Sequence, residues 1–137
     1  MKPFTVVRIV VVALLFATLG RGENPRYAQI VRDRDAVLSE ILAAREARYR
    51  VGGCDEQAVL SSRLALLTFR RDAAKNREEK LKQQGLIVEM YEKRVADLKV
   101  RAKSGTLSAE DLLLAKERLL EAMQTRESLS ETATSTN

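Results

Sequence analysis

The chain has 137 residues, 24 of them basic and 19 acidic, with no histidine, no tryptophan and a single cysteine. Its length limits it to one modest domain. The lack of histidine removes the commonest general base and metal ligand, and the lone Cys54 rules out an internal disulfide. With so few aromatic residues, a core has to come from Leu, Val, Ile and Ala, which suits helix-on-helix seams.

The first 22 residues read as an export signal. Lys2 and Arg8 make a basic start, residues 9–19 carry no charge, and small residues Gly20 and Gly22 follow. The apolar run is shorter than the roughly 20 residues that span a bilayer, so cleavage is expected rather than anchoring, with Gly22 as the preferred last residue of the signal. Glu23, Asn24 and Pro25 would then open the mature chain as an exposed tail. Cleavage removes Lys2, Arg8 and Arg21 and no acid, which leaves 21 basic against 19 acidic residues, a net charge of +2. Nucleic-acid binding needs a concentrated basic face. The cluster Arg70, Arg71, Lys75, Arg77, Lys80 and Lys82 is instead broken by Asp72, Glu78 and Glu79, as on a solvated helix surface.

From residue 26 to 129 there is no proline, no strand-like alternation, and a predominance of helix formers. Two glycine turns and their caps divide this stretch into three predicted helices near residues 27–50, 56–103 and 109–129, followed by a polar tail at 130–137 read as disordered. The first turn offers Gly52 and Gly53 to end a helix and Asp55 to cap the next, with Cys54 and Val59 at staple spacing. The second offers Gly105 as terminator, Ser108 as N-cap with Asp111 three residues on, and Leu107 with Leu112 as staple. A shift of 53 residues superimposes the two without a gap: Arg48 falls on Arg101, Gly52 on Gly105, Asp55 on Ser108, Leu60 on Leu113 and Leu67 on Leu120. Duplication of a helix-turn-helix unit is the economical explanation.

Leu60, Leu67, Ala74, Leu81, Val88, Val95 and Ala102 recur every seven residues along the second predicted helix. Such a repeat keeps one seam facing a partner and implies left-handed supercoiling. The companion positions are apolar at Leu64, Tyr91 and Leu98 but polar near Arg70 and Arg77, so the seam is weakest in its centre. The expected fold class is all-α, an elongated antiparallel set of coiled-coil-like helical hairpins around one long central helix of roughly 70 Å. The first helix would fold back on the early half of that rod and the third on its late half. A break at Gly85, giving a compact four-helix bundle, is the alternative. Tyr27, Tyr49 and Tyr91 lie beside apolar helix positions and read as packing residues, and Glu78–Lys82 and Glu89–Lys93 as i,i+4 ion pairs.

Arg101-Ala-Lys-Ser-Gly105, a polar turn, Asp111-Leu-Leu-Leu-Ala115 and then Leu119-Leu120-Glu-Ala122 resemble the periplasmic helical hairpins of TolC-type outer-membrane efflux proteins, and the turn from Arg48 to Gly52 is a weaker copy. The resemblance implies hairpin turns that meet a protein partner, here at residues 51–55 and 104–108. Gly52, Gly53, Asp55, Gly105, Leu107 and Ser108 would form those partner-contact turns. The chain departs from that family in having no barrel strands and helices too short for the tunnel, so export activity of its own is not implied.

No glycine-rich phosphate loop, CxxC, metal motif or paired catalytic carboxylate accompanies these features. The expectation is a non-catalytic, cofactor-free, secreted or periplasmic module that self-associates or engages a protein through helices, with no nucleic acid or small-molecule substrate and with membrane contact only through the signal if it is retained. A small periplasmic chaperone holding clients on helical surfaces is the alternative.

Overall fold

A computed structural model describes residues 24–131, so the export signal and residues 132–137 of the polar tail lie outside the described residues. The described chain is all-helical: α1 Pro25–Arg50, α2 Glu56–Ala73, α3 Arg77–Lys103 and α4 Ala109–Glu131. It divides into two units at Arg32 and Asp33. The packing below concerns the second, from residue 33 onward.

In the first unit, α1 begins earlier than expected. The Asn24 side chain accepts from the Arg26 N–H at 2.9 Å, and the Asn24 carbonyl accepts from Ala28 at 3.1 Å. Pro25 is then the first helical residue, a position where the N–H it lacks would have no helical partner. Asn24 and Pro25 are therefore a cap and a helix start rather than an exposed tail. At the other end α4 runs through Ser130 to Glu131, past the expected tail boundary.

The expected long central helix is two helices. Ala74 is extended (φ −64°, ψ 133°) and so is Asn76 (φ −119°, ψ 160°), whose side chain caps α3 by accepting from the Glu79 N–H at 2.8 Å. The break falls where the seam is most polar, not at Gly85, which lies inside α3 where an added Cβ would meet nothing within 4 Å. Its physical reason is burial. Folding at residues 74–76 packs Leu67 of α2 against Ile87 and Val88 of α3 and Ala122 of α4, with Leu64, Tyr91, Leu119 and Met123 around them. A straight rod would have left half of that seam waiting for another chain.

The predicted pairings survive the fold. α1 lies antiparallel to α2, because Arg45 reaches Ala58 and Ser62 while Arg70 reaches Asp35. Arg77 at the start of α3 donates to the carbonyls of Leu129 (2.6 Å) and Ser130, which fixes α4 antiparallel to α3 and satisfies carbonyls that the helix end leaves open. Between α3 and α4 the fully buried Gln84 donates to the Ala122 carbonyl at 2.8 Å and accepts from Arg71 of α2 at 2.8 Å. One amide thus ties three helices at the centre of the apolar cluster, and its polar atoms are satisfied as burial requires.

Among the tyrosines, only Tyr91 packs on the core. Tyr27 and Tyr49 are exposed, contrary to expectation, on a helix none of whose residues is buried. Glu89 pairs with Lys93 at 2.8 Å as predicted, whereas Lys82 pairs with Glu79 at 3.7 Å and not with Glu78.

Candidate functional site: the turn end and the adjoining groove

The two turns have the same backbone construction. In the first, Gly53 donates to the Arg48 carbonyl (2.7 Å) and Gly52 to that of Tyr49 (3.0 Å). In the second, Thr106 donates to Arg101 (3.1 Å) and Gly105 to Ala102 (3.1 Å). Each is the paired closure that ends a helix on a left-handed residue, and Gly52 (φ +72°) and Gly105 (φ +74°) supply it. Every one of these bonds maps onto its counterpart under the 53-residue shift, so the repeat extends from sequence to local geometry.

The details around the turns diverge. Gly53 sits in a tight place, since a Cβ there would stand 3.3 Å from the Arg48 carbonyl oxygen. The Arg48 guanidinium closes the first turn by donating to the Gly53 carbonyl at 2.9 Å, and the partly buried Cys54 thiol donates to the Arg45 carbonyl at 3.3 Å. The second turn uses hydroxyls, with Ser104 and Thr106 both donating to Arg101 at 2.8 and 3.0 Å. The caps act as read from sequence. Asp55 accepts from the Ala58 N–H at 2.7 Å; Ser108 accepts from the Asp111 N–H at 3.1 Å and donates to its carboxylate at 2.6 Å.

Because α1 and α3 run in the same direction, both turns lie at one end of the second unit. Glu56, next to Asp55, accepts from Arg94 at 2.5 Å and lies 3.8 Å from Arg101, which places the start of α2 beside the end of α3. Gly52, Gly53, Asp55, Gly105 and Ser108 are all solvent-exposed there, and Leu107 is half-buried. From Leu107 an open groove of about 750 Å³ runs between α2 and α4 with α3 as its floor. Leu60 and Leu64 form one wall, Leu114 and Ala115 the other, and Tyr91 and Leu98 the floor. Burial in this groove pushes the Tyr91 hydroxyl above its ordinary range. Sequence reading missed the groove, which exists only because the central helix folds on itself.

The α1–α2 contact is of another kind. Arg70 makes a two-pronged contact with Asp35 at 2.7 and 2.9 Å and a third bond to Ser39 at 3.1 Å, and Arg63 meets Glu46 at 2.5 Å. The hydrogen bonds from Arg70 hold the Asp35 carboxyl below its ordinary value. The Arg34 guanidinium stacks 4.7 Å from the centre of the Phe69 ring. Among the described residues no group of three or more His, Cys, Asp or Glu side chains gathers to hold a metal ion, and no helix is long and apolar enough to cross a membrane. No protein family, curated protein or solved structure matches this chain.

Proposed function

We propose that this chain is a non-catalytic, exported interaction module of the bacterial envelope, which uses its helix faces and its turn end to bind protein. The observation that carries the reading is the apolar surface left on the helices. α1 is 26 residues long with no buried residue, and Val37 and Ile41 on it stay exposed, as do Leu113, Leu114 and Leu120 on α4. Val37 with Ile41 and Leu113 with Leu120, four and seven residues apart, each share a helix stripe, and exposed apolar stripes of this kind mark places where another protein sits. The TolC-type resemblance supports the turn end as a second contact, since Gly105, Leu107 and Ser108 stand in the residues that carry it. No chemistry of bond-making is part of the reading, because no nucleophile and base stand together in the sequence.

Cross-linking the exported protein in intact cells and isolating its adducts tests this proposal. Defined adducts with envelope proteins or with itself, reduced in the Gly105→Ala/Leu107→Glu variant or in variants of the exposed leucines, are expected. A chain that stays in the cytoplasm, or one that yields no adduct at any face, would contradict it. The groove favours one further reading, a holder of unfolded or helical client segments, since Ile87, Met90, Tyr91 and Leu98 give it an apolar stretch, with Arg94 and Arg118 beside it. Suppression of client aggregation by the purified protein, lost on Leu64→Glu, would support that reading, and no effect at stoichiometric excess would remove it.

A further inference from the structure

The faces left uncovered on α1 and α4 stand, under the 53-residue shift, at the positions of a junction that is covered inside the chain. On α2, Leu60 and Leu67 face α3 across the hairpin junction, in a recess they share with Met90, Arg94 and Lys93. Leu67 and Met90 are buried there. Moved by 53 residues, Leu60 and Leu67 become Leu113 and Leu120 of α4, which are 62% and 65% exposed. Moved back by the same step, Met90 and Arg94 become Val37 and Ile41 of α1, which are 54% and 41% exposed. The repeat therefore offers both halves of the α2–α3 junction a second time, each apolar and each without its counterpart in the same chain.

We infer that a second copy of this chain fills them: α4 of one protomer docks antiparallel on α1 of the next, in the geometry by which α2 docks on α3. This rests on the reading of the chain as an interaction module and names its partner. Three observations support a copy of the chain over an unrelated helix. The complementary faces occur on one molecule and stand 53 residues from the two sides of the internal junction, which supplies a geometry for the external one. The receiving face is more apolar than its template, since Ile41 replaces Arg94, which in the chain needs Glu56 as partner at 2.5 Å. Charge matches as well. Arg63 of α2 borders the same recess as Lys93, a like pair; their counterparts are Lys116 on α4 and Glu40 on α1, an opposite pair. Such a contact joins different surfaces of the two copies, so it propagates head to tail until it closes on itself or is capped.

The test uses the full chain and two variants, each blocked on one face at exposed positions: V37E/I41E on α1 and L113E/L120E on α4. Helix content by circular dichroism checks that both fold. In sedimentation equilibrium the parent chain is expected to show mass rising with concentration, and each variant alone to remain a monomer. Mixed in equal amounts, the two variants retain one good α4 and one good α1 between them, and a complex of two chains is expected that grows no further. In that mixture K116E on the V37E/I41E chain should weaken the complex by about two- to fivefold, with E40K on the other chain restoring it. A parent chain that is monomeric at all concentrations, a blocked variant that still assembles, or a mixture that stays monomeric overturns the inference. If the monomeric chain nevertheless yields a defined envelope adduct through these leucines, the interaction reading stands and only the identity of the partner falls. If no adduct forms either, both fall.

Discussion

The two hairpins share a repeat and a turn geometry, but they are held together by different forces. α3 enters its hairpin with Ile87, Val88, Val95 and Leu98 buried. The residues 53 positions earlier on α1 are Arg34, Asp35, Leu42 and Arg45. The partner helices diverge in step: Met123, packed on the core cluster from α4, stands where α2 has Arg70, and Ala115 stands where α2 has Ser62. Apolar side chains at these positions bring α3 and α4 into close contact, whereas guanidinium groups span the space between α1 and α2 by hydrogen bonds. Burial of apolar area is the larger contribution to stability, and partly exposed ion pairs contribute little after screening. The second hairpin with α2 is therefore the more stable part, and residues 33–50 of α1 are held to it mainly by polar contacts.

The largest expected effect separates matched positions. Leu98→Ala should destabilise the chain by about 2–5 kcal/mol in chemical denaturation, through lost burial and the cavity left behind. Arg45→Ala, at the equivalent place on α1, removes bonds to Ala58 and Ser62 at 3.0 and 2.7 Å and should lower stability by about 1 kcal/mol. Equal losses would erase the distinction. Next comes Gln84→Ala, which leaves Arg71 without its amide partner at the centre of the bundle; about 1–3 kcal/mol is expected, with the helices still formed by circular dichroism.

The turns provide a control on which the hairpins should agree. Gly52→Ala and Gly105→Ala each force a left-handed alanine into open space, so each should cost about 1 kcal/mol through backbone strain alone. A markedly larger effect at one turn would show that its surroundings are not equivalent. The smallest effect is at Asp35. Its carboxyl titrates lower in the folded chain than in the unfolded one, so the stability it adds is present above the unfolded value and lost as pH falls through the lower folded value. A double-mutant cycle of Asp35→Asn with Arg70→Ala should give under about 1 kcal/mol at neutral pH, less in high salt, and nothing once the carboxyl is protonated.

These differences were only partly legible in the sequence. The glycine terminators and the caps were legible, because Gly52, Gly105, Asp55 and Ser108 act through bonds to residues at most a few positions away; the Arg48, Cys54, Ser104 and Thr106 bonds that close the turns were not. Antiparallel pairing across each turn followed from the short connections. The fold at residues 74–76 was missed because a seven-residue repeat specifies which face is buried, not whether the helix between two buried stretches is continuous; α2 and α3 each use their own half of one register against the other. A local signal existed in Asn76 followed by Glu79, the spacing of a capping box, at the polar centre of the seam. Asn24 before Pro25 was a similar cap, hidden by reading the stretch as a tail. The groove and the uncovered faces could not be read at all, since they depend on which of several apolar stripes the fold covers.

Hydrogen exchange on the L113E/L120E chain, in which the proposed docking face of α4 is blocked, tests the central contrast most directly. Amides in residues 33–49 of α1 are predicted to exchange on the order of a hundredfold faster than those in residues 87–98 of α3, because opening α1 leaves the Leu67, Ile87, Val88 and Ala122 cluster covered. Equal protection of the two helices would mean that α1 belongs to the same cooperative unit and that the arginine contacts hold it as firmly as the leucine seam holds α3.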